Sequence, residues 1–483
     1  MRTRSYNLDV QPGCSSWSDD LSFVDNDAKL MPPPSQPSRD EPPQPDPQAF
    51  SSDIDLTWSF LPHEVLINVF RHLEDHDRCS ASLVCKKWLQ ISRAACLWRR
   101  RRFVFAGLDA LERIQRYKMF ITVLGQHVDH IVLDFGRPSM STAGVIAKAF
   151  EGFVSKVNSK VKMRLRSVTA RNLDFQLAWR FFSHHRAKVI KSLCTLFKRQ
   201  ANLRSANLAF SQLNKDEGIR ILESLALSGS LQRRHKQFLT VLDLQEFFSP
   251  RTRVLSSSKF AETMGLFLAL TSLCMDKRYL NEDVLEKLTS RSCTAPLRYL
   301  QLVADSMDPV LDHPISRRAW VEAVHRDPDF TVGVLFLGLT SFDKYASVLI
   351  RGMPLTWMRL SWLGVVGPVH PAIMADVEKL LRHVAYNFSD TIIRVQICLW
   401  PEAVVPVDEA LVNLVSRCHL LRELSVTCRI VPETLDKIEA VLASRQDNVL
   451  ETMELRLVGF TQEMTAPGYI RRRWPSIKTM AFC

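Results

Sequence analysis

The chain has 483 residues, 46% of them hydrophobic and 24% charged, with a net charge of +12, a balance that suits a folded protein rather than a disordered one. The best apolar run is MGLFLALTSLCM at 264–275, too short for a membrane-spanning helix. The opening MRTRSYNLDVQPG holds no apolar secretory core, so the expectation is an intracellular protein of the cytoplasm, the nucleus or both.

Residues 1–55 read as a Pro-rich acidic tail. They carry ten acidic and four basic side chains, a net −6 that leaves +18 for the remainder, and nine prolines fall within the first 50 residues. Such a composition cannot bury enough apolar surface to offset the entropy of ordering, and structure is expected to begin near Trp58. Ser16 and Ser52 each stand three residues before an Asp; phosphate there would strengthen a contact between the tail and the basic remainder.

FLPHEVLINVFRHL follows at 60–73. Pro62 fits a first helical turn, where its missing N–H costs nothing, and Leu66, Val69, Phe70 and Leu73 recur at helical spacing. Asp75 or Asp77 is placed to cap a second short helix carrying Ala81, Val84 and Cys85. A third carries Trp88 and Ile91, and Leu97-Trp98 closes the segment. Three helices this short cannot hide all these apolar positions from one another, which marks a docking module. His72 and His76 are spaced for one helix face, but two histidines without further ligands do not make a metal site. The basic stretch 86–102 ends in Arg99-Arg100-Arg101-Arg102, read first as a solvated helix end or the rim of the next region. Phosphate reading by Arg forks comes second, and nucleic-acid binding comes last because no fold or aromatic interleaving supports it.

From 103 onward an apolar triplet recurs with L-x-x-L-x-L spacing. It appears at Leu203-Ala206-Leu208, Leu239-Leu242-Leu244, Leu270-Leu273-Met275, Leu297-Leu300-Leu302, Leu355-Met358-Leu360 and Ile392-Val395-Ile397. Leu421-Leu424-Val426, Leu450-Met453-Leu455 and Ile477-Met480-Phe482 continue it, with weaker copies at Val128-Ile131-Leu133, Leu165-Val168-Ala170 and around Val334-Phe336. Helical segments lie between, among them NEDVLEKL at 281–288 with a capping Asn, residues 377–384, and PETLDKIEAVL at 432–442. A strand and a helix repeated about twelve times is the leucine-rich-repeat plan, in which each unit buries its face on its neighbours. The spacing of about 24 to 38 residues exceeds the usual range of about 20–29, and the Asn that normally follows the triplet is mostly absent. Curvature should therefore be irregular. The competing fold is an ordinary α/β domain with parallel strands.

Catalytic patterns are missing: no Walker loop, GxGxxG, GxSxG or HExxH occurs, and His184-His185-Arg186 reads as surface. Eleven cysteines without a CxxC pair read as small buried hydrophobes in a reducing compartment. No enzyme activity, cofactor, metal or catalytic residue is expected.

Residues 60–98 resemble an F-box through LPxEVLxxVFxxL, then Asp77-Arg78, VCKKW and LW in order. Leu61, Pro62, Val65, Leu66, Val69, Phe70, Val84, Cys85, Trp88, Leu97 and Trp98 match family positions; Arg78-Cys79 departs from the Leu many members carry. The stretch from 58 to about 430 resembles F-box proteins with leucine-rich repeats through DRCSASLVCKKW, LQEFFS at 244–249 and LNEDVLEKL at 280–288. The resemblance implies an all-helical F-box at 56–102 and an irregular α/β repeat solenoid at 103–483 that binds substrate. It implies a non-catalytic substrate receptor of an SCF-type cullin–RING ubiquitin ligase, docked on the Skp adaptor and acting by proximity. Trp88, Trp98, Phe70 and the Leu61-Pro62 corner are the expected anchors. The substrate is an unknown protein, and the basic stretch 156–204 points to an acidic or phosphorylated one. The alternative is a leucine-rich-repeat scaffold that binds the adaptor without delivering substrate; an RNA-binding repeat protein comes third.

Overall fold

The computed structural model describes residues 61–159, 163–227, 238–289, 295–308, 315–362, 371–399, 407–427, 430–445, 450–456 and 480–482. The expected tail, its start point near Trp58 and Ile477 of the last triplet lie outside them. Contacts divide the chain into two compact units, 1–101 and 102–483.

The first unit holds α1 (His63–His72), α2 (Asp75–Ala81) and α3 (Lys86–Ser92), then a single turn at Ala95–Leu97. Pro62 precedes α1 with φ −54°, the angle its ring enforces. Leu66, Phe70, Ala81, Ile91, Leu97 and Trp98 form the interior, and the Phe70 ring meets Trp88 edge-on at 5.6 Å. Three local expectations are corrected. Helix α2 begins at Asp75 after Glu74, and no side chain caps it. Val84 and Cys85 lie beyond its end, and Cys85 instead caps α3, its Sγ accepting the Trp88 N–H at 3.5 Å. His72 ends α1 while His76 lies in α2, so the two histidines do not share a helix face.

The second unit is a strand–helix repeat. Its strands are β1 (Arg100–Phe105), β2 (His130–Phe135), β3 (Ser167–Arg171), β4 (Ser205–Asn207), β5 (Val241–Leu244), β6 (Ser272–Asp276) and β7 (Tyr299–Asp305). They continue as β8 (Thr331–Leu337), β9 (Leu355–Ser361), β10 (Arg394–Cys398), β11 (Glu423–Thr427), β12 (Thr452–Arg456) and β13 (Met480–Phe482). Between them run α4 (Ala110–Leu124), α5 (Ala143–Val157), α6 (Ser183–Arg199), α7 (Lys215–Ala226), α8 (Lys259–Gly265) and α9 (Glu282–Thr289). Then follow α10 (Arg317–Arg326), α11 (Phe342–Val348), α12 (Pro371–Asn387), α13 (Asp408–Arg417) and α14 (Pro432–Ser444).

The strands join one sheet in strict sequence order, β1 to β13. A doubly wound domain reverses its strand order at a switch point, so this order selects the repeat over the competing fold. The register explains the triplets. Ile131, Val168, Ala206, Leu242, Leu273, Leu300 and Val332 pair along one ladder. Met275, Leu302, Val334, Met358, Val395, Leu424, Met453 and Met480 pair along the next. Side chains alternate along a strand, so both ladders, as far as Met453, enter the core on the helix side, where each fully buried Leu or Val contributes about 1.5–3 kcal/mol.

Helix entries follow their sequences. Asn281 accepts the Val284 N–H at 2.9 Å ahead of α9, and Asn214 with Glu217 makes a reciprocal capping box on α7. The arginine run is not a helix end: Arg100, Arg101 and Arg102 belong to β1, the first strand of the repeat, where Phe103 and Phe105 point inward and Arg102 pairs with Asp134. Tyr117 of α4 finishes that strand, its Oη accepting the Val104 N–H at 3.1 Å and facing the Val104 carbonyl at 3.3 Å. The cysteine expectation holds in part: Cys194, Cys274 and Cys418 are buried, whereas Cys79 and Cys85 are exposed.

Candidate functional site

The helical unit leaves a set of large apolar side chains exposed. On α1 the i, i+4 pair Leu66 and Phe70 faces inward, while the neighbouring pair Val65 and Val69 stays 42% and 37% exposed. Leu83 and Val84, in the turn between α2 and α3, are 85% and 65% exposed. Leu89 on α3 adds a half-open side chain. Pro62 and Cys85 are exposed, and Leu61 and Trp88 are half-buried. Of the matched positions, Leu66, Phe70, Leu97 and Trp98 are internal. Phe70 and Trp98 are therefore not available as direct anchors in this arrangement; they hold the helices that present the others.

Arg78 has a definite job. Its guanidinium donates to the Phe70 carbonyl at 2.8 Å, the Arg71 carbonyl at 3.1 Å and the Leu97 carbonyl at 3.4 Å. It also lies 5.6 Å from the Trp98 ring centroid, which Arg101 approaches at 5.2 Å. A cation at the last turn of α1 adds a second donor to the Phe70 carbonyl, which also accepts the Leu73 N–H, reaches the Arg71 carbonyl, and complements the helix dipole. Lys87 ties α3 to the Leu61 carbonyl at 2.8 Å.

The repeat unit concentrates charge where β5 to β8 end. Asp276 closes β6, accepting the Glu246 N–H at 3.0 Å and Arg278 at 2.9 Å. Burial nevertheless dominates and pushes its carboxyl up to about 7. Arg278 also reaches Asp308 at 3.1 Å and stacks on Tyr279 at 4.8 Å. Burial raises Asp243, Glu246 and Asp308 as well, and brings Lys277 down to about 8. On the helix-free face beside this network Cys274, Val303, Leu335 and Trp357 form a separate apolar cluster with Leu337 against it. Gly333 makes room there, since a Cβ would stand 2.7 Å from the Trp357 ring.

The basic stretch 156–204 does not gather on one face. Arg164, Arg166 and Arg204 are exposed ahead of β3 and β4, Arg171 at the end of β3, Arg180 after it, and Lys188, Lys191 and Lys198 on α6. Arg186 is engaged by Glu217 and the Phe175 carbonyl. Among the described residues no cluster of His, Cys, Asp and Glu could hold a metal, and no helix is long and apolar enough to cross a membrane.

Residues 58–104 match the F-box-like family. The F-box-like segment thus coincides with the helical unit and the start of β1. Human F-box/LRR-repeat protein 8 is 22% identical over 386 residues, a match covering 79% of this chain and 91% of that protein. Bovine F-box/LRR-repeat protein 21 is 22% identical over 291 residues, covering 58% and 60%. Its mouse counterpart is 36% identical over 56 residues, 12% of this chain and 13% of that one. Among solved structures, a TLR13–ssRNA13 complex aligns over 74% of this chain and 53% of its own at 10% identity, with a TM-score of 0.29. The architecture is an F-box-like helical segment followed by a solenoid-like parallel strand–helix repeat.

Sequence reasoning missed two side chains on the F-box-like surface. Leu83 and Leu89 flank the matched Val84, Cys85 and Trp88 and are open to solvent. The signal was their position in LVCKKWL, where helical spacing alone assigns them no partner.

Proposed function

We propose that this chain is a non-catalytic substrate-recognition subunit of an SCF-type ubiquitin ligase: its F-box-like helices dock on the Skp adaptor, and its repeat unit holds the protein to be modified. The observation that carries the reading is the exposed apolar set Val65, Val69, Leu83, Val84 and Leu89 on a unit of three short helices. Surface of that kind is the ordinary core of a lasting protein interface. Leu61, Pro62, Cys85 and Trp88 complete the docking surface, with Leu66, Phe70, Leu97 and Trp98 beneath it. The repeat array contributes proximity, raising the effective concentration of substrate lysines near the charged ubiquitin. Within this reading the chain is kin to F-box only protein 39 and its relatives, on the strength of DRCSASLVCKKW and LNEDVLEKL, and the exposed arginines and lysines of 156–204 favour an acidic or phosphorylated substrate.

The test is co-expression with the adaptor and size-exclusion chromatography. A one-to-one complex that captures cullin is expected. Leu61→Ala with Pro62→Ala, or Leu83→Asp with Val84→Asp, should each weaken adaptor binding by at least about 2 kcal/mol, the scale of an interface hot spot, without altering the melting of the repeat unit. A wild-type chain that ignores the adaptor sinks the proposal. An adaptor complex that never ubiquitinates any captured protein would make it a scaffold.

A further inference from the structure

The surface that suits an adaptor is also carried by the chain when no adaptor is bound. Leu83, Val84 and Val65 are 85%, 65% and 42% exposed, and exposed apolar area of this kind favours a cover. Residues 83–93 also hold Lys86, Lys87 and Arg93 and no carboxylate, with Lys86 and Arg93 exposed. The surface is therefore apolar with a basic border. Its complement is apolar with an acidic border.

Such a sequence stands in the same chain. Residues 16–27, SWSDDLSFVDND, carry Trp17, Leu21, Phe23 and Val24 among four aspartates and no basic residue. The stretch 32–48 is rich in Pro and holds no Leu, Ile, Val or aromatic side chain, the composition of a spacer rather than of a second anchor. The 36 residues from 25 to 60 join the segment to Leu61, which the proposed docking surface includes. A tether of that length spans about 30 Å or more, twice the roughly 15 Å of a ten-residue helix such as α1. The segment can therefore reach any part of the helical unit, at an effective concentration near the millimolar range.

We propose that residues 16–27 cover the exposed apolar surface of the helical unit in the free chain, so that an adaptor must displace the chain's own tail. The competition rests on the adaptor reading; the cover does not. A composition that cannot order alone can still order on a surface already formed. An isologous second copy would instead set the basic border against itself.

Cys85, exposed beside Val84, reports the cover in the full chain without adaptor. Mass spectrometry should show N-ethylmaleimide labelling it about fivefold faster in Trp17→Ser with Phe23→Ser than in the wild type, as expected for a tether concentration a few times the segment's own dissociation constant. A peptide of residues 15–27 at millimolar concentration should slow the variant again. Labelling rates that are equal in the two chains and unmoved by the peptide would overturn the proposal. So would protection that persists in the variant and grows with protein concentration, which assigns the surface to a second copy. Titration with the adaptor reads the competition: the variant should bind about fivefold more tightly, and equal affinities would overturn it. If neither chain binds the adaptor, the proposed function fails while the labelling still decides the cover.

Discussion

The two units solve the same packing problem with opposite outcomes. In the repeat, Leu273 stands between Leu242 and Leu300, and Val334 between Leu302 and Met358, so every apolar row finds a neighbour. The helical unit has no such stack. Leu66 and Phe70 are covered, yet Val65, Val69, Leu83 and Val84 remain open. A solenoid hides its hydrophobic residues by adding repeats, whereas three short helices run out of partners. The repeat leaves scattered apolar side chains open, such as Met140, Phe181 and Met307, whereas in the helical unit Val65, Val69, Leu83, Val84 and Leu89 fall within one short segment.

Substitutions can break this contrast. Phe70→Ala removes a fully buried ring and should cost the helical unit about 3–5 kcal/mol. Hydrogen exchange should show the loss within 61–101 and leave the repeat strands protected. In the repeat, Arg278→Ala strands Asp276 and Asp308 without their cation and should cost about 3–5 kcal/mol. Urea unfolding reads it, and a loss below about 1 kcal/mol would mean the pair is solvated rather than buried. Arg78→Leu takes the guanidinium away from the Phe70, Arg71 and Leu97 carbonyls; about 1–2 kcal/mol of the helical unit's stability should go.

The last effect is a slope. Burial lifts Asp276 from 3.8 to about 7, so the folded state binds a proton that the unfolded state has released. Between about pH 4 and 7 this group makes stability fall as pH rises. Asp276→Asn should flatten that part of the stability profile, and an unchanged slope would assign it to another group.

Much of the repeat was legible because its signal is periodic. All twelve triplets place residues in or beside β2 to β13, and the helices expected at 281–288, 377–384 and 432–442 lie within or within one residue of α9, α12 and α14. Strand β1 was not legible: four consecutive arginines obscure an alternation visible only at Phe103 and Phe105. Within the F-box-like segment, spacing identified α1 but could not separate its inward pair, Leu66 and Phe70, from Val65 and Val69, because both pairs repeat every four residues. The role of Arg78 depends on carbonyls eight and nineteen residues away. No local pattern encodes it.

The strict strand order has a consequence for how the chain is made. Each strand of the sheet hydrogen-bonds to its immediate predecessor, which has already been synthesised when the new one appears. Chains emerge N-terminus first and tend to fold unit by unit, and contacts short in sequence form quickly. This protein can therefore be completed strand by strand at the mouth of the ribosome, each new repeat docking on a finished edge and none waiting for a distant partner.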